Sequence, residues 1–297
     1  MDHVVWTQWD DLVVPDGFTK LSPANFDLES GDLSKITFYV PQYMSGRAGY
    51  LPTQKMESLQ YFQVPNAGYD DALEFVRPGV TLCNARGVHD ASTAELAVGL
   101  AIAMRRGLND FVKAHDTGEW MHERYTSLND SKIAIVGYGS IGQTLHKYLS
   151  VYDVEITGYS RSGKDGAKKI SELDNDISSY DIIFLILPLN DESRNLFDAD
   201  RLARMKDGSL LINVARGPII NTEALINELN SRRIYAGLDV TDPEPLPADH
   251  PLWKAPNCLI SPHVGGDSTA FSSRGKRLVE QQLARLATGE KLINVVN

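Results

Sequence analysis

The sequence of 297 residues has only two cysteines, no long hydrophobic run and no excess of positive charge, and each shortage excludes a class of protein. Cys83 and Cys258 form no CxxC pair, so we expect neither a disulfide framework nor a cysteine-ligated metal. We expect the protein to work in a reducing compartment. No segment has the apolar length to span a bilayer, and the first residues lack a signal peptide's pattern. We therefore expect a cytoplasmic protein without a membrane partner.

The charge balance disfavours a nucleic-acid ligand. Lys and Arg number 29 against 39 Asp and Glu, which gives a formal net charge of -10. A phosphate backbone is repelled by such a surface unless a local basic stripe exists, and the sequence contains none. We expect a small-molecule ligand instead.

Short apolar runs alternate with helical patterns, as parallel sheets covered by helices require. The first part predicts strands at residues 4–6, 37–40, 61–64 and 81–83, and the second part predicts strands at 132–136, 154–159, 181–187, 210–214, 236–240 and 258–261. The length favours two domains. The predicted fold class is α/β, with two Rossmann-like or flavodoxin-like domains, doubly wound parallel sheets and an active site in the interdomain cleft.

A long helix is predicted from Ser92, because Ser92 and Glu95 have the spacing of a capping box and apolar residues recur at helical spacing before fading past Phe111. After Gly266 the pattern is again helical, and the chain's last residues have no local strand to pair with. We predict that this tail returns to the first domain. The expected division is residues 1–97 with 271–297 as the substrate domain, and 98–270 as the dinucleotide-binding domain.

The most informative motif is GYGSIG at residues 137–142, which follows an apolar strand and opens a helical pattern. A dinucleotide site needs one glycine for a tight turn, a second for approach of the pyrophosphate and a third for helix–sheet packing. An isolated glycine pattern of this kind could be an ordinary turn, but the strand before it and the helix after it favour cofactor binding. The predicted contacts are Gly137, Gly139, Ser140, Ile141 and Gly142.

Three ionisable residues follow three different predicted strands: Arg216, Glu244 and His263. Ligands of open α/β sheets bind at the carboxyl ends of the strands. There a guanidinium can hold substrate oxygens, an imidazolium can donate a proton, and a carboxylate can orient the imidazole. Taken alone, Arg216 could be a solvated loop cation, Glu244 a member of an exposed proline-rich loop, and His263 a structural histidine. Their conjunction predicts reduction of a carbonyl next to a carboxylate, with hydride from a nicotinamide cofactor.

The ordered motifs resemble those of the D-isomer-specific 2-hydroxyacid dehydrogenases. They are the glycine motif, NVARGP at 213–218, GLDV with EPLP at 237–247, and SPHVGG at 261–266. The likeness is close from Ser92 to Gly266 and weak before Pro65. It implies an NAD(P)-dependent oxidoreductase in which Arg216 binds substrate, His263 is the acid/base and Glu244 is its partner.

The resemblance also implies further contacts. Ala67 and Gly68 match the family's carboxylate-binding amides, beside Arg216 and His263 as substrate ligands. Leu187 and Pro188 fall where the family lines the adenine pocket, and Asp239 falls where the family contacts the nicotinamide carboxamide. The full set of remaining implied cofactor contacts is Glu95, Leu187, Pro188, Ala215, Asp239, His263 and Gly265.

The end of the second strand in the nucleotide unit indicates which cofactor binds. Ser160, Arg161 and Ser162 stand where an NAD enzyme has an acidic residue for the ribose hydroxyl. A cation with two hydroxyl neighbours can neutralise and hydrogen-bond a 2′-phosphate, so NADP(H) is favoured, with NAD(H) as the alternative. Arg161 and Lys164 could instead be a solvated turn.

The leading interpretation is a reductase of small 2-oxo acids, of glyoxylate/hydroxypyruvate type, that reversibly oxidises D-2-hydroxy acids. A phosphoglycerate dehydrogenase would need a further cation, for which Arg47 or Arg86 could serve. A nucleotide-sensing corepressor-like protein that shares this fold is the alternative from another class. The resemblance suggests a homodimer, and the sequence does not rank Tyr43, Met44 or Tyr69 as pocket residues.

Overall fold

The computed structural model describes residues 3–297. Its strands are β1 His3–Trp6, β2 Phe18–Leu21, β3 Phe38–Tyr39, β4 Tyr61–Gln63, β5 Thr81–Cys83, β6 Lys132–Val136, β7 Glu155–Ser160, β8 Lys168–Lys169, β9 Ile182–Leu185, β10 Leu210–Asn213, β11 Tyr235–Leu238 and β12 Cys258–Ile260. Its α-helices are α1 Gly46–Tyr50, α2 Asp90–Arg105, α3 Leu108–Thr117, α4 Ser140–Leu149, α5 Leu173–Asp176, α6 Ala199–Ala203, α7 Thr222–Asn230 and α8 Ala270–Ala287. Among the described residues, no helix is both long and apolar enough to cross a membrane.

The described chain divides into two compact units, residues 3–89 with Thr269–Asn297, and Asp90–Ser268. The first unit contains a five-stranded parallel sheet in the order β2-β1-β3-β4-β5. Both faces of this sheet are covered, because neighbouring residues along a strand point to opposite faces. Val5 belongs to the buried cluster that contains α8 residues, whereas Trp6 belongs to the cluster on the other face.

The second unit contains seven parallel strands in the order β12-β11-β10-β9-β6-β7-β8. The strand order reverses between β6 and β9, so a topological switch point lies at their carboxyl ends. Ile133 and Ile135 pack in the cluster with α2 and α4, whereas Ala134 and Val136 pack in the cluster with α6 and α7. The predicted α/β fold with doubly wound parallel sheets is confirmed.

The sequence analysis does not predict two of the strands, β2 and β8. β2 is half-exposed and contains threonine and lysine, and β8 consists of two exposed lysines, so neither shows an apolar run. The predicted capping box is also wrong, because α2 begins at Asp90 and Ser92 is already helical. The unit boundary at Asp90 keeps this whole helix in the second unit, whereas the sequence analysis divides it after residue 97.

The C-terminal segment lies beside β5 in the first unit, where Val295 forms an antiparallel bridge with Cys83. The buried side-chain amide of Gln282 and the Arg285 guanidinium, which donates from Nε to the Lys291 carbonyl at 2.6 Å, hold this segment to α8. Gln282, with 0% exposure, donates from Nε2 to Gln63 Oε1 at 3.0 Å and to the Ile293 carbonyl at 2.8 Å, and its Oε1 accepts from the Ile293 amide at 3.0 Å. The side chain thereby satisfies three polar groups, one on the buried Gln63 and two on the half-buried Ile293.

We expect Gln282→Leu to destabilise the protein by about 2–4 kcal/mol, because it leaves buried donors and acceptors without partners while keeping side-chain size. Gln281→Leu is the matched control, since Gln281 is exposed on the same helix. Calorimetric unfolding of both variants measures the difference. Equal unfolding temperatures for the two variants would show that the Gln282 network adds nothing to stability.

Candidate active site

The glycine-rich loop lies at the switch point of the second unit. Gly137 has φ +107°, and a Cβ there would overlap the Ile186 carbonyl, which follows β9. The Gly137 and Tyr138 amides donate to the Tyr159 carbonyl at 2.8 and 3.0 Å. The loop after β6 therefore packs directly on the chain after β9, as a tight turn without a side chain allows.

The start of α4 leaves room for a phosphate group. Gly139 is the N-cap, and no side chain caps the helix. Nothing lies within 4 Å of the position that a Gly139 Cβ would take, whereas a Cβ at Gly142 would overlap the Gly137 carbonyl. A dinucleotide pyrophosphate would fit here for three reasons. There is open space above Gly139, the chain packs closely at Gly137 and Gly142, and the amides at the start of α4 are uncapped by the described side chains.

The end of β7 presents a cation rather than a carboxylate. Ser160 Oγ accepts a hydrogen bond from the Gly163 amide at 3.0 Å, which shapes the turn that carries Arg161 and Ser162. Arg161 is exposed, and within residues 3–297 no carboxylate forms an ion pair with it. The guanidinium is therefore available to a ligand phosphate.

Arg216 follows β10 on a turn that Asn213 holds. The buried Asn213 side chain donates from Nδ2 to the Arg216 carbonyl at 2.9 Å and accepts from the Ala215 amide at 3.0 Å. Arg216 Nη1 donates to the Ala215 carbonyl at 2.8 Å. A Cβ at Gly217 would overlap the Thr241 carbonyl, so glycine lets this turn pack against the chain that follows β11.

His263 and Glu244 form a hydrogen-bonded pair at the same edge of the sheet. His263 Nδ1 lies 2.5 Å from Glu244 Oε1, with side-chain exposures of 39% and 40%. An ionised carboxylate only accepts, so Nδ1 carries the proton in this bond. Nε2, on the opposite side of the ring, makes no hydrogen bond to the described residues and is the nitrogen that can reach a ligand.

The charges of this site act on each other. The hydrogen bond that His263 donates to Glu244 raises the pKa of His263 above its ordinary value. Burial and the charge of Arg216 oppose this rise without reversing it. Burial acts to raise the pKa of Glu244, but the hydrogen bond and charge of His263, with Arg216, hold it below its ordinary value. The pair thus favours an imidazolium next to a carboxylate.

The buried carboxylate of Asp239 orders the loop that carries His263. It accepts from Ser261 Oγ at 2.7 Å, from the Val264 amide at 2.9 Å and from the Gly265 amide at 2.8 Å. The His263 amide donates to the Asp239 carbonyl at 2.7 Å, and His263 has φ +54°, in the left-handed region. The strained residue is held by neighbours on both sides. The nicotinamide contact expected of Asp239 stays a prediction.

The other predicted cofactor residues lie in the same unit. Leu187 and Ala215 are buried, and the Pro188 carbonyl accepts from Ser193 Oγ at 2.8 Å. Gly265 lies near Thr93 of α2, where a Cβ on Gly265 would be 3.5 Å from the threonine methyl. Glu95 is exposed on α2. Their cofactor contacts stay predictions.

Ala67 and Gly68 belong to the first unit and follow β4. The Ala67 carbonyl accepts from Asn84 Nδ2 at 2.7 Å, and the Asn66 carbonyl accepts from the Ala85 amide at 2.8 Å. Asn66 Oδ1 is buried and has no hydrogen-bond partner among the residues that the structure describes. The turn is thus fixed by the chain after β5, and its role in substrate binding stays a prediction.

Asn213 and Ser261 are positioning residues that the sequence analysis does not identify. Both occur in the quoted motifs, but their roles depend on which neighbouring loop each side chain reaches, which spacing does not show. Among the described residues, no group of three or more His, Cys, Asp or Glu side chains could hold a metal ion.

Comparison with known proteins identifies the family. Residues 98–265 match the model of the D-isomer specific 2-hydroxyacid dehydrogenase, NAD binding domain. A glyoxylate reductase from Thermofilum pendens is 31% identical over 255 residues, which are 81% of this chain and 75% of the relative. A solved D-isomer specific 2-hydroxyacid dehydrogenase family protein from Aeromonas salmonicida is 26% identical, with a TM-score of 0.88 over 100% of this chain and 99% of that chain.

A more distant structure shares the fold. It is an NADPH-dependent glyoxylate/hydroxypyruvate reductase from Sinorhizobium meliloti in complex with NADP and sulfate, 22% identical, with a TM-score of 0.83 over 100% of this chain and 98% of that chain. The family model covers more than half of the sequence and confirms the resemblance seen in the motifs. This protein therefore belongs to the D-isomer-specific 2-hydroxyacid dehydrogenases and is an oxidoreductase with a nicotinamide cofactor.

Proposed function

We propose that the protein reduces a small 2-oxo acid to the D-2-hydroxy acid with NADPH, as a reductase of glyoxylate/hydroxypyruvate type. The observation that carries the proposal is the 2.5 Å hydrogen bond between His263 and Glu244, at the sheet edge that also carries Arg216. An imidazolium whose Nε2 makes no hydrogen bond to the described residues is suited to protonate a developing alkoxide. The named activity of the Thermofilum pendens relative supports the same class of substrate.

In this proposal each side chain has one role. The Arg216 guanidinium binds substrate oxygens through its two-pronged fork and places the carbonyl carbon. His263 Nε2–H donates its proton to the carbonyl oxygen as that oxygen becomes a hydroxyl. Glu244 is a positioning residue that holds the imidazole by Nδ1 and keeps it charged. The amides of Ala67 and Gly68 are proposed to bind the substrate carboxylate. When bound, the nicotinamide supplies the hydride.

The preference for NADPH rests on Arg161 at the end of β7, which is exposed and forms no ion pair with a carboxylate of residues 3–297. A carboxylate at this position would attract the ribose hydroxyl and repel a 2′-phosphate, whereas a guanidinium attracts the phosphate. The NADP complex of the structural neighbour from Sinorhizobium meliloti supports this choice.

One observation disfavours the phosphoglycerate alternative. Both terminal nitrogens of Arg47 donate to the Glu74 carboxylate, so this cation already has a partner. Arg86 is exposed and remains as the other cation.

A homodimer also stays a prediction. Exposed apolar side chains at Leu108, Phe111, Val112 and Trp120 give the second unit a surface that a second copy could cover, and light scattering of the full chain measures its mass.

The reaction is tested by following NADPH absorbance with glyoxylate, hydroxypyruvate, pyruvate, phenylpyruvate and phosphohydroxypyruvate. We expect turnover with at least one of the first four. His263→Ala should lower kcat by about 10²–10⁴-fold, because it removes the proton donor, while the Kd for NADPH stays nearly unchanged. Turnover of none of the substrates would favour the corepressor-like alternative, and preference for phosphohydroxypyruvate would favour the phosphoglycerate enzyme. A variant that keeps near wild-type turnover would remove His263 from the chemistry.

Glu244→Gln should move the basic limb of the pH–rate profile for reduction to lower pH. His263 must be protonated to donate, so kcat/KM falls as pH rises through its pKa, and Glu244 raises that pKa. Asp242→Asn is the control, because Asp242 is exposed on the same loop. If the limb stays in place in Glu244→Gln, or moves equally in the control, the proposed role of Glu244 is wrong.

Arg161→Asp should weaken NADPH binding at least about tenfold more than NADH binding, since it replaces a charge-assisted contact with repulsion of the 2′-phosphate. Lys147→Glu is the control, with the same change of charge on the exposed side of α4. Fluorescence titration of both cofactors into the wild-type protein and the two variants gives the six dissociation constants. Equal losses for NADPH and NADH in Arg161→Asp would contradict a contact to the 2′-phosphate.

A further inference from the structure

A cavity lies at the amino-terminal edge of the second unit's sheet, opposite the edge that carries Arg216 and His263. It has a volume of about 270 Å³ and adjoins the starts of β10 and β11 and the end of α2. Pockets for drug-sized ligands occupy roughly 300–1,000 Å³, so this cavity suits a smaller molecule. Its lining consists of Met104, Arg105, Glu123, Arg124, Tyr125, Thr126, Gly208, Leu210 and Tyr235.

Arg105 is the half-buried cation of this cavity, and it lacks a carboxylate partner. Its Nε and Nη2 donate to the Ser127 carbonyl over 3.4 and 3.2 Å, which are long hydrogen bonds. Over residues 3–297 no carboxylate forms an ion pair with Arg105. Asp181, which acts on its charge, is already bound by Lys206 Nζ at 2.7 Å and by the Lys132 amide at 2.8 Å.

Two other poorly exposed arginines in this unit show the usual arrangement. Arg201, with 18% side-chain exposure, pairs with Asp174 at 2.7 Å. Arg233, with 21% exposure, pairs with Glu228 at 2.7 Å. Burial lowers the pKa of Arg105, as expected for a guanidinium that has lost water without gaining a carboxylate. An anion in the cavity would provide the missing partner.

The other side chains restrict the anion. Arg124 adds a second positive charge and Glu123 a negative one, so the lining has a net charge of one positive unit and matches a monoanion. Met104, Leu210 and the rings of Tyr125 and Tyr235 offer apolar walls. The Tyr125 ring is held from outside the cavity, because its hydroxyl donates to Asp110 Oδ2 at 3.0 Å.

We propose that this cavity is a second ligand site, separate from the catalytic edge, which binds a small organic monocarboxylate with a flat apolar body. The carboxylate lies against the Arg105 guanidinium, whose planar fork matches it, and the body lies between the tyrosine rings. The proposal does not depend on the proposed reaction, since no residue of the cavity takes part in it.

The test uses benzoate as the probe and titration calorimetry of the full chain as the measurement. All proteins carry Arg216→Gln, so that the catalytic edge loses the cation expected to hold a carboxylate. Adding Arg105→Gln should weaken benzoate binding at least about tenfold, which corresponds to about 1.4 kcal/mol. Adding Arg106→Gln is the matched control. Arg106 is exposed next to Arg105 and does not line the cavity, so we expect less than about a twofold change.

Phosphate distinguishes a carboxylate site from a general anion site, and it should bind more weakly than benzoate because it has no apolar body. If Arg105→Gln does not fold, Arg124→Gln and Tyr235→Leu take its place, and each should weaken benzoate binding. The proposal is overturned by no benzoate binding in the Arg216→Gln protein, by equal losses in the Arg105 and Arg106 variants, or by phosphate binding as tightly as benzoate.

Discussion

The geometry of the sheet edge that carries Arg216 and His263 depends on the buried carboxylate of Asp239. Asp239 is 2% exposed, and its carboxylate accepts three hydrogen bonds from the loop after β12. The backbone carbonyl of Asp239 accepts a fourth from the His263 amide. These bonds fix His263 in a left-handed conformation that a histidine reaches only against its preference. The hydrogen bond to Glu244 then sets the ring. Asp239, just after β11, thus positions the backbone of His263, and Glu244 orients its imidazole ring.

Close packing of neighbouring loops brings the remaining groups to that edge. Gly137 allows the loop after β6 to pack on the chain after β9, and Gly217 allows the turn of Arg216 to pack on the chain after β11. A Cβ at either glycine would overlap a neighbouring carbonyl. The glycine-rich loop and the turn of Arg216 therefore depend on the same feature, which is a glycine at a point where two strand ends approach each other.

The sequence predicts the strands that form the centre of each sheet, because parallel strands buried on both faces read as apolar runs. It does not predict β2 and β8, whose polar residues face solvent at or near the edges of the sheets. The places of Arg216, Glu244 and His263 after strands predict that they form one site, and the structure joins His263 to Glu244 by a hydrogen bond. The anchoring roles of Asn213 and Ser261 are not found, because each depends on a hydrogen bond whose partner the local sequence does not reveal.

Pairing with carboxylates separates two kinds of arginine in the second unit. Arg201 and Arg233 are held by Asp174 and Glu228, so their charges are satisfied within the protein and their role is structural. Arg161 and Arg105 have no carboxylate partner among residues 3–297, and they lie at opposite edges of one sheet. A chain with ten more acidic than basic residues has carboxylates in excess. Guanidiniums that remain without one are therefore the positions where an external anion gains most from binding.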